Sequence, residues 1–151
     1  MDLRATLPRL LPAAITWAEA QAARAASSGR PLTDDEAQLA RRAGVAHTER
    51  VRVALVDALP LPEEAELREA AIQAELFGPN MVGLTLGHSV FIRRGHETKR
   101  LLSHELRHVH QCEQAGSLAH FLPGYLQQIV EFGYAAAPLE QDARAHETVD
   151  G

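Results

Sequence analysis

The spacing of apolar positions predicts a mainly helical chain with extended segments near its middle. Helical periodicity marks residues 12–27, 34–43, 62–77 and 98–114, and further helices begin at Pro123 and Pro138. Alternating apolar and polar residues predict strands at 51–57 and 84–93. A few strands placed among helices are typical of an α+β fold with a small antiparallel sheet.

The segment 84–93, LTLGHSVFIR, has the clearest strand pattern in the chain. His88 shares one predicted face with Leu84, Leu86, Val90 and Ile92. This placement favours a core histidine or one that supports a site from behind its ligands. Gly87 interrupts the pattern and predicts a bulge or a close backbone approach.

Composition and length describe one ordinary domain. The chain has 151 residues, of which 46% are hydrophobic and 23% charged, so a substantial core is expected. A net charge of −5 disfavours nucleic-acid binding, and no apolar run approaches the length of a membrane span. With one cysteine and no secretory signal pattern, we expect a cytoplasmic protein. We divide the single domain into a helical N-terminal arm, 1–45, and a core, 46–151.

The predicted helix 98–114 contains the motif HExxH, as His104, Glu105 and His108. Two histidines four residues apart lie on one helix face, where both imidazoles can bind one Zn²⁺. Glu105 is adjacent to them, and its carboxylate is placed to act as a general base on water rather than as a ligand. The alternative is an exposed charged helix without a metal.

Three segments resemble the zincin metallopeptidases of the gluzincin branch. LLSHELRHVHQ is similar to their active-site helix, APLEQDARAHE to their glutamate helix, and GLTLGHSVFIRRG to the edge strand preceding the active-site helix. The compact layout resembles minigluzincins and short bacterial HExxH proteins, which implies a mostly helical zincin-like domain. Gln114 stands where metzincins have a third histidine, and Arg144 stands where many gluzincins have an aspartate.

The resemblance places the third zinc ligand at Glu140, on the helix that Pro138 begins. Ala143 is small and lies one turn further, which would allow close approach to the HExxH helix. Glu147 then becomes a candidate for orienting a ligand from behind. Other acidic or imidazole candidates for the third ligand are Glu131, His146 and Glu147.

Several other residues have a functional and a structural interpretation. Gly87, on the predicted edge strand, is a tentative substrate-binding residue, because extended peptides add to sheet edges. His88 is a tentative supporting residue of the site. Candidates for a transition-state donor, by resemblance, are His120, Tyr125 and Tyr134. Two remaining residues are expected to be structural: His110 at the surface and Cys112 as a small buried group.

The expected activity is zinc-dependent hydrolysis of peptide bonds, with one Zn²⁺ per chain and a peptide or protein as substrate. His104, His108 and Glu140 would hold the metal, and Glu105 would transfer the proton. The alternative is a catalytically latent or inactive zincin-like binding module, with the arm 1–45 covering the cleft. Hydrolysis of a non-peptide amide is a third interpretation.

Overall fold

The computed structural model describes residues 1–149 as six α-helices and a three-stranded sheet. The α-helices are α1 (Leu3–Ser28), α2 (Asp34–Arg42), α3 (Ala65–Gln73), α4 (Lys99–Ala115), α5 (Leu118–Phe132) and α6 (Pro138–Ala145). The strands are β1 (Arg52–Val56), β2 (Gly83–Leu86) and β3 (Ser89–Arg93), and a short 3-10 helix covers Thr48–Arg50. The predicted α+β class is confirmed. Among the described helices, none has the length and apolarity that crossing a bilayer requires.

The sheet has the strand order β1-β3-β2 and is mixed, which corrects the expectation of a wholly antiparallel sheet. β2 and β3 pair antiparallel, whereas β1 and β3 pair parallel. A parallel pair needs a long crossover, and the segment between β1 and β3 supplies it with α3 and β2. β2 is therefore an edge strand and β3 the central one.

The predicted single strand 84–93 is wrong, because the chain reverses in its middle. Leu86 pairs with Ser89, so Gly87 and His88 form a two-residue hairpin turn. Gly87 has a φ of +70°, a conformation that favours glycine, and it is neither a bulge nor a mid-strand residue. Residues paired across the hairpin share a face, so Leu84 and Leu86 lie on the face of Phe91 rather than that of Val90 and Ile92. Because β3 is buried on both faces, apolar residues still occupy even-numbered positions after the turn, and the sequence pattern hides the reversal.

Helices cover both faces of the sheet and form two apolar clusters. Val90 and Ile92 of β3 point into the first cluster, which includes residues of α2 and α4. Phe91 points into the second, which joins residues of α1, α4 and α5. Because the sheet is covered on both sides, the central strand β3 is almost entirely buried.

Two helices are longer than their sequence pattern predicts. α1 begins at Leu3 rather than residue 12, with Asp2 as its N-cap, and includes Pro8 and Pro12. α5 begins after Ser117 and includes Pro123, which was expected to begin it. Conversely, α3 is shorter than predicted at both ends. The Glu64 side chain caps its first turn, and Glu75 and Phe77 beyond its last turn have φ values of +65° and +61°, which are not helical.

Candidate metal centre

α4 carries the two histidines of the HExxH motif on its buried side. Leu106 and Val109 of the same helix are fully buried in the first apolar cluster, which anchors α4 against the sheet. His104 and His108 are only 8% and 6% exposed. The apolar face of the helix therefore fixes the direction in which both imidazoles point.

Glu140 reaches the two histidines from α6. Its Oε1 lies 3.1 Å from His104 Nε2 and its Oε2 lies 3.0 Å from His108 Nε2. Ala143, one turn further on α6, is fully buried, as expected for a close contact between α4 and α6. One ligand atom from each of the three residues lies within 4.8 Å of the others, so this buried group could hold a metal ion.

The remaining nitrogen of each imidazole is also engaged. His104 Nδ1 lies 2.8 Å from Glu147 Oε2, and His108 Nδ1 lies 2.8 Å from Gln111 Oε1. An Nδ1–H that donates to an acceptor leaves the Nε2 lone pair available to a metal. The donor set and its hydrogen-bonded backing therefore fit a metal ion bound by two imidazoles and one carboxylate.

Gln111 connects His108 to α6. Its amide nitrogen donates to Leu139 O at 3.0 Å and to Asp142 Oδ2 at 2.9 Å. These bonds orient the amide so that Oε1 faces His108. Asp142 is held in turn by two hydrogen bonds from the Arg107 guanidinium.

Glu105 lies beside His104 and His108 but does not belong to the group that could hold a metal ion. It is 4% exposed, and the Thr85 hydroxyl of β2 donates to its Oε1 at 2.7 Å. Gly83 of the same strand packs against it so closely that an added Cβ would lie 2.9 Å from Glu105 Oε2. The edge strand thus positions this carboxylate.

Two tyrosines lie near the centre, whereas His120 does not contact it. The Tyr125 hydroxyl donates to Glu140 Oε2 at 2.8 Å, and half-buried Tyr134 lines the same cavity as His104 and Glu105. His120 is exposed and hydrogen-bonded to Ser117. Of the three donor candidates, the structure therefore brings Tyr125 and Tyr134 to the site.

His88 is not a supporting residue of this centre, and that expectation is corrected. It lies in the hairpin turn, where its Nε2 is 2.9 Å from Glu113 Oε2. His88 was assigned to the same face as Leu84 because residues 84–93 were predicted to form one strand, and the hairpin removes the basis of that assignment. Gly87 also lies in the turn, and its backbone contacts the Cys112 thiol, beyond the HExxH residues along α4. Its role in substrate binding stays a prediction without the edge-strand position that motivated it.

Cys112 and His110 are the two remaining residues that were expected to be structural. Cys112 is buried, and burial raises the pKa of its thiol to about 12. His110 was expected at the surface but is half-buried, and its Nδ1 lies 2.9 Å from Gly44 O. Within residues 1–149, neither side chain is hydrogen-bonded to His104, His108 or Glu140.

Burial and close charges shift the pKa values of the centre. Burial raises the pKa of the Glu105 carboxyl, with His108 and His104 opposing it. Burial opposes a charged His104, but Glu140 and Glu105 outweigh it and raise the pKa of its imidazole to about 9. For Glu140, burial is outweighed by the hydrogen bonds from both histidines, so the pKa of this carboxyl is lowered. The centre therefore favours an ionised Glu140.

Several functional contacts were absent from the sequence interpretation. Thr85, Gly83 and the Gln111–Asp142 connection all act across elements, so no local spacing marks them. The one available signal is that Gln111 lies three residues after His108, on the same helix face. Comparisons of the chain with protein-family models, curated proteins and solved structures find no match.

Proposed function

We propose that the chain is a zinc-dependent metallopeptidase with one Zn²⁺ held by His104, His108 and Glu140. The observation that carries the proposal is the convergence of three buried ligand atoms from two helices. Two imidazoles and one carboxylate are a ligand set typical of catalytic zinc, which keeps a further position for water or substrate. The Nδ1 contacts to Glu147 and Gln111 support it further.

Glu105 is the proposed general base. A bound zinc ion would supply Lewis acidity, lowering the pKa of the attacking water and polarising the scissile carbonyl. Glu105 Oε1 holds the Thr85 hydroxyl, which leaves Oε2 to accept the proton from that water. The carboxyl then delivers the proton to the leaving amine nitrogen. Burial suits this role, because it raises the carboxyl pKa towards neutrality.

The edge strand β2 is the proposed backbone partner of the substrate. It holds Glu105 through Thr85 and Gly83, so a peptide paired with β2 would pass directly beside the base. Gly83 has no side chain to obstruct that approach. This assignment moves the proposed substrate contact from Gly87 to the strand that precedes it.

The test compares zinc content and peptide hydrolysis in matched variants. His108→Ala and Glu140→Ala should lose zinc in elemental analysis, whereas Glu131→Gln, a change on the exposed side of α5, should retain one per chain. Glu105→Gln should retain zinc but hydrolyse a quenched peptide about 10³-fold more slowly or worse. Equal zinc in all variants would contradict the metal site, and full activity of Glu105→Gln would contradict the mechanism.

The second candidate function is a zinc-bearing binding module without hydrolysis. It is favoured by the burial of the ligands, since Glu140 is only 1% exposed. The same experiment separates the two. The binding module would be favoured if wild type binds zinc but neither wild type nor Glu105→Gln hydrolyses any peptide in a mixed library.

A further inference from the structure

An apolar cleft lies between α1, α3 and α5. Its walls include Leu7 and Leu10 of α1, Leu67 and Ala71 of α3, and Leu126 of α5. Almost the whole lining is aliphatic or aromatic, and the enclosed space is about 130 Å³. An apolar cavity of roughly 150 Å³ holds a benzene ring, so this slightly smaller space suits one hydrocarbon group of about ring size.

Part of the cleft wall lies outside the core, although Ala18, Leu86, Phe121 and Leu122 of the second apolar cluster also line it. Leu10 and Leu67 are 7% and 9% exposed, yet neither belongs to either apolar cluster. α1 and α3 are joined at the rim by polar contacts instead, with the Arg9 guanidinium donating to both Glu66 oxygens at 2.7 and 2.6 Å. The apolar side chains therefore surround a space rather than closing it.

The inner end of the cleft is the metal centre. His108, Tyr125 and Thr85 all line it. His108 is a proposed ligand, Tyr125 donates to Glu140, and Thr85 donates to Glu105. A group lying in the cleft would therefore meet the ligand set and the base at its inner end.

The opposite side of the centre is polar, and its exposed charges are cationic. This second cavity, about 380 Å³, is lined by Arg100 and Arg144 together with His104, Glu105 and Glu147. Glu105 is turned towards Thr85, and Glu147 directs Oε2 to His104 while its Oε1 lies 3.7 Å from Arg100 Nε. Both arginines are exposed. Arg144 also donates to Ala135 O and Arg100 contacts Glu147, but each guanidinium group has five N–H donors, so further donors face an incoming carboxylate.

We propose that the substrates are amides with a large apolar group on the acyl side and a free carboxylate on the leaving amino acid. The apolar group would fill the cleft, and Arg100 and Arg144 would bind the carboxylate. In a peptide the free α-carboxylate lies on the amine side of the last bond, which fixes this orientation. The proposal rests on the proposed hydrolysis: water adds its oxygen to the acyl carbon, the C–N bond breaks, and Glu105 returns a proton to the nitrogen.

Two sources can supply the apolar group, a fatty acyl chain or the side chain of a peptide residue. The probes are N-octanoyl-alanine and N-acetyl-phenylalanyl-alanine, with N-acetyl-alanine and the two alaninamide analogues as comparisons. Trp17, the single tryptophan, lines the cleft, so its emission reports occupancy directly. Zinc-loaded Glu105→Gln is titrated for binding, and wild type is assayed for released alanine or alaninamide.

Either apolar probe should bind about 100-fold more tightly than N-acetyl-alanine, because it buries several methylenes or a ring. The probe with the higher affinity identifies the source. Its alaninamide analogue should bind about 10-fold more weakly through loss of the charged contact. Equal affinity for N-acetyl-alanine and both apolar probes would overturn the proposal.

Matched variants locate the binding. Ala71→Phe fills the cleft and should weaken the apolar probes about 10-fold or more, whereas Ala65→Phe, at an exposed position of the same helix, should not. Arg144→Gln should abolish the preference for carboxylate over amide, and exposed Arg24→Gln should preserve it. Unchanged binding in both Ala71→Phe and Arg144→Gln would overturn the proposal. Cleft-dependent binding without alanine release would uphold the ligand class and overturn the proposed hydrolysis.

Discussion

At the scale of single residues, the centre depends on which nitrogen of each imidazole faces the carboxylate of Glu140. The acceptors behind the rings decide this, because Glu147 and Gln111 each engage an Nδ1. Gln111 is the stricter constraint, since its amide is itself fixed by Leu139 O and Asp142. We therefore expect Gln111, which contacts a candidate ligand rather than the metal itself, to influence the affinity of the site for zinc.

Replacing Gln111 with leucine tests this constraint. The change removes the acceptor of His108 Nδ1–H while keeping a similar volume, so zinc affinity should fall about 10–100-fold. Competition with a chromogenic chelator measures it, and Gln114→Leu, at an exposed position of the same helix, is the control. Identical affinities in the two variants would show that His108 needs no orienting partner.

Gly83 constrains the position of the Glu105 carboxylate. An alanine Cβ there would lie 2.9 Å from both Glu105 Oε2 and Leu101 Cδ1, so the carboxylate must move. Gly83→Ala should therefore lower peptide hydrolysis about 10-fold or more with zinc content unchanged. Gly78→Ala, where an added Cβ meets nothing within 4 Å, should have wild-type activity. Comparable kcat/KM values for the two variants would contradict this role of β2.

The residues at the centre differ in how far the sequence could predict them. His104, Glu105 and His108 are three residues within five positions of one helix, so their spacing in the sequence predicts their geometry. Glu140 and Glu147 required a resemblance, because only tertiary packing brings α6 to α4. Thr85 and Gly83 depend on the register between a strand and a helix, and neither residue type marks such a contact by itself.

At the scale of elements, the hairpin turn is the clearest failure of pattern reasoning. Gly87 adopts a φ of +70° at a turn where the chain reverses, yet apolar residues occupy even-numbered positions on both sides of it. The prolines of α1 and α5 led to helices that were predicted to start too late. Proline is typical of the first turn of a helix, but both helices continue through their prolines. α2 and α6 were placed well, since a capping box and an N-terminal proline mark their starts.

Gly87→Val should act on stability rather than selectively on substrate. A β-branched residue at positive φ costs about 1–2 kcal/mol, which lowers the melting temperature by about 2–4 °C per kcal/mol in a chain of this size. Gly87→Asn, which tolerates this conformation better, should melt closer to wild type. Thermal unfolding followed by circular dichroism makes the comparison. A valine variant as stable as the asparagine variant would contradict the strained-turn explanation.

At the scale of the whole molecule, the centre joins α4 to α6 across the fold. A metal that binds the folded state alone stabilises it by about 2.7 kcal/mol at a hundredfold excess over Kd. Zinc should therefore raise the melting temperature of wild type and of Glu105→Gln by several degrees. Glu140→Ala should show little shift, since it lacks the ligand that α6 contributes. An equal shift in all three proteins would place the stabilising zinc elsewhere.

The contacts of the N-terminal helix α1 show whether it is a removable arm or a structural element of the fold. Ala18 and Ala25 of α1 are 2% exposed within the second apolar cluster, and the Ser89 hydroxyl of the central strand donates to Ala22 O at 2.7 Å. A helix that covers one whole face of the sheet contributes to the same core that supports α4 and α5.

Deleting residues 1–28 should therefore unfold the protein instead of uncovering a latent site. The deletion would expose the sheet face that includes Phe91 and Phe121. We expect the lost burial to exceed the roughly 5–15 kcal/mol by which folded domains are stable. Size-exclusion chromatography and circular dichroism should show aggregation and loss of cooperative melting. The control is full-length Arg9→Ala, which breaks only the rim contact with Glu66 and should remain folded. A monomeric, folded truncation with higher peptidase activity than wild type would instead establish the arm as an inhibitory cover.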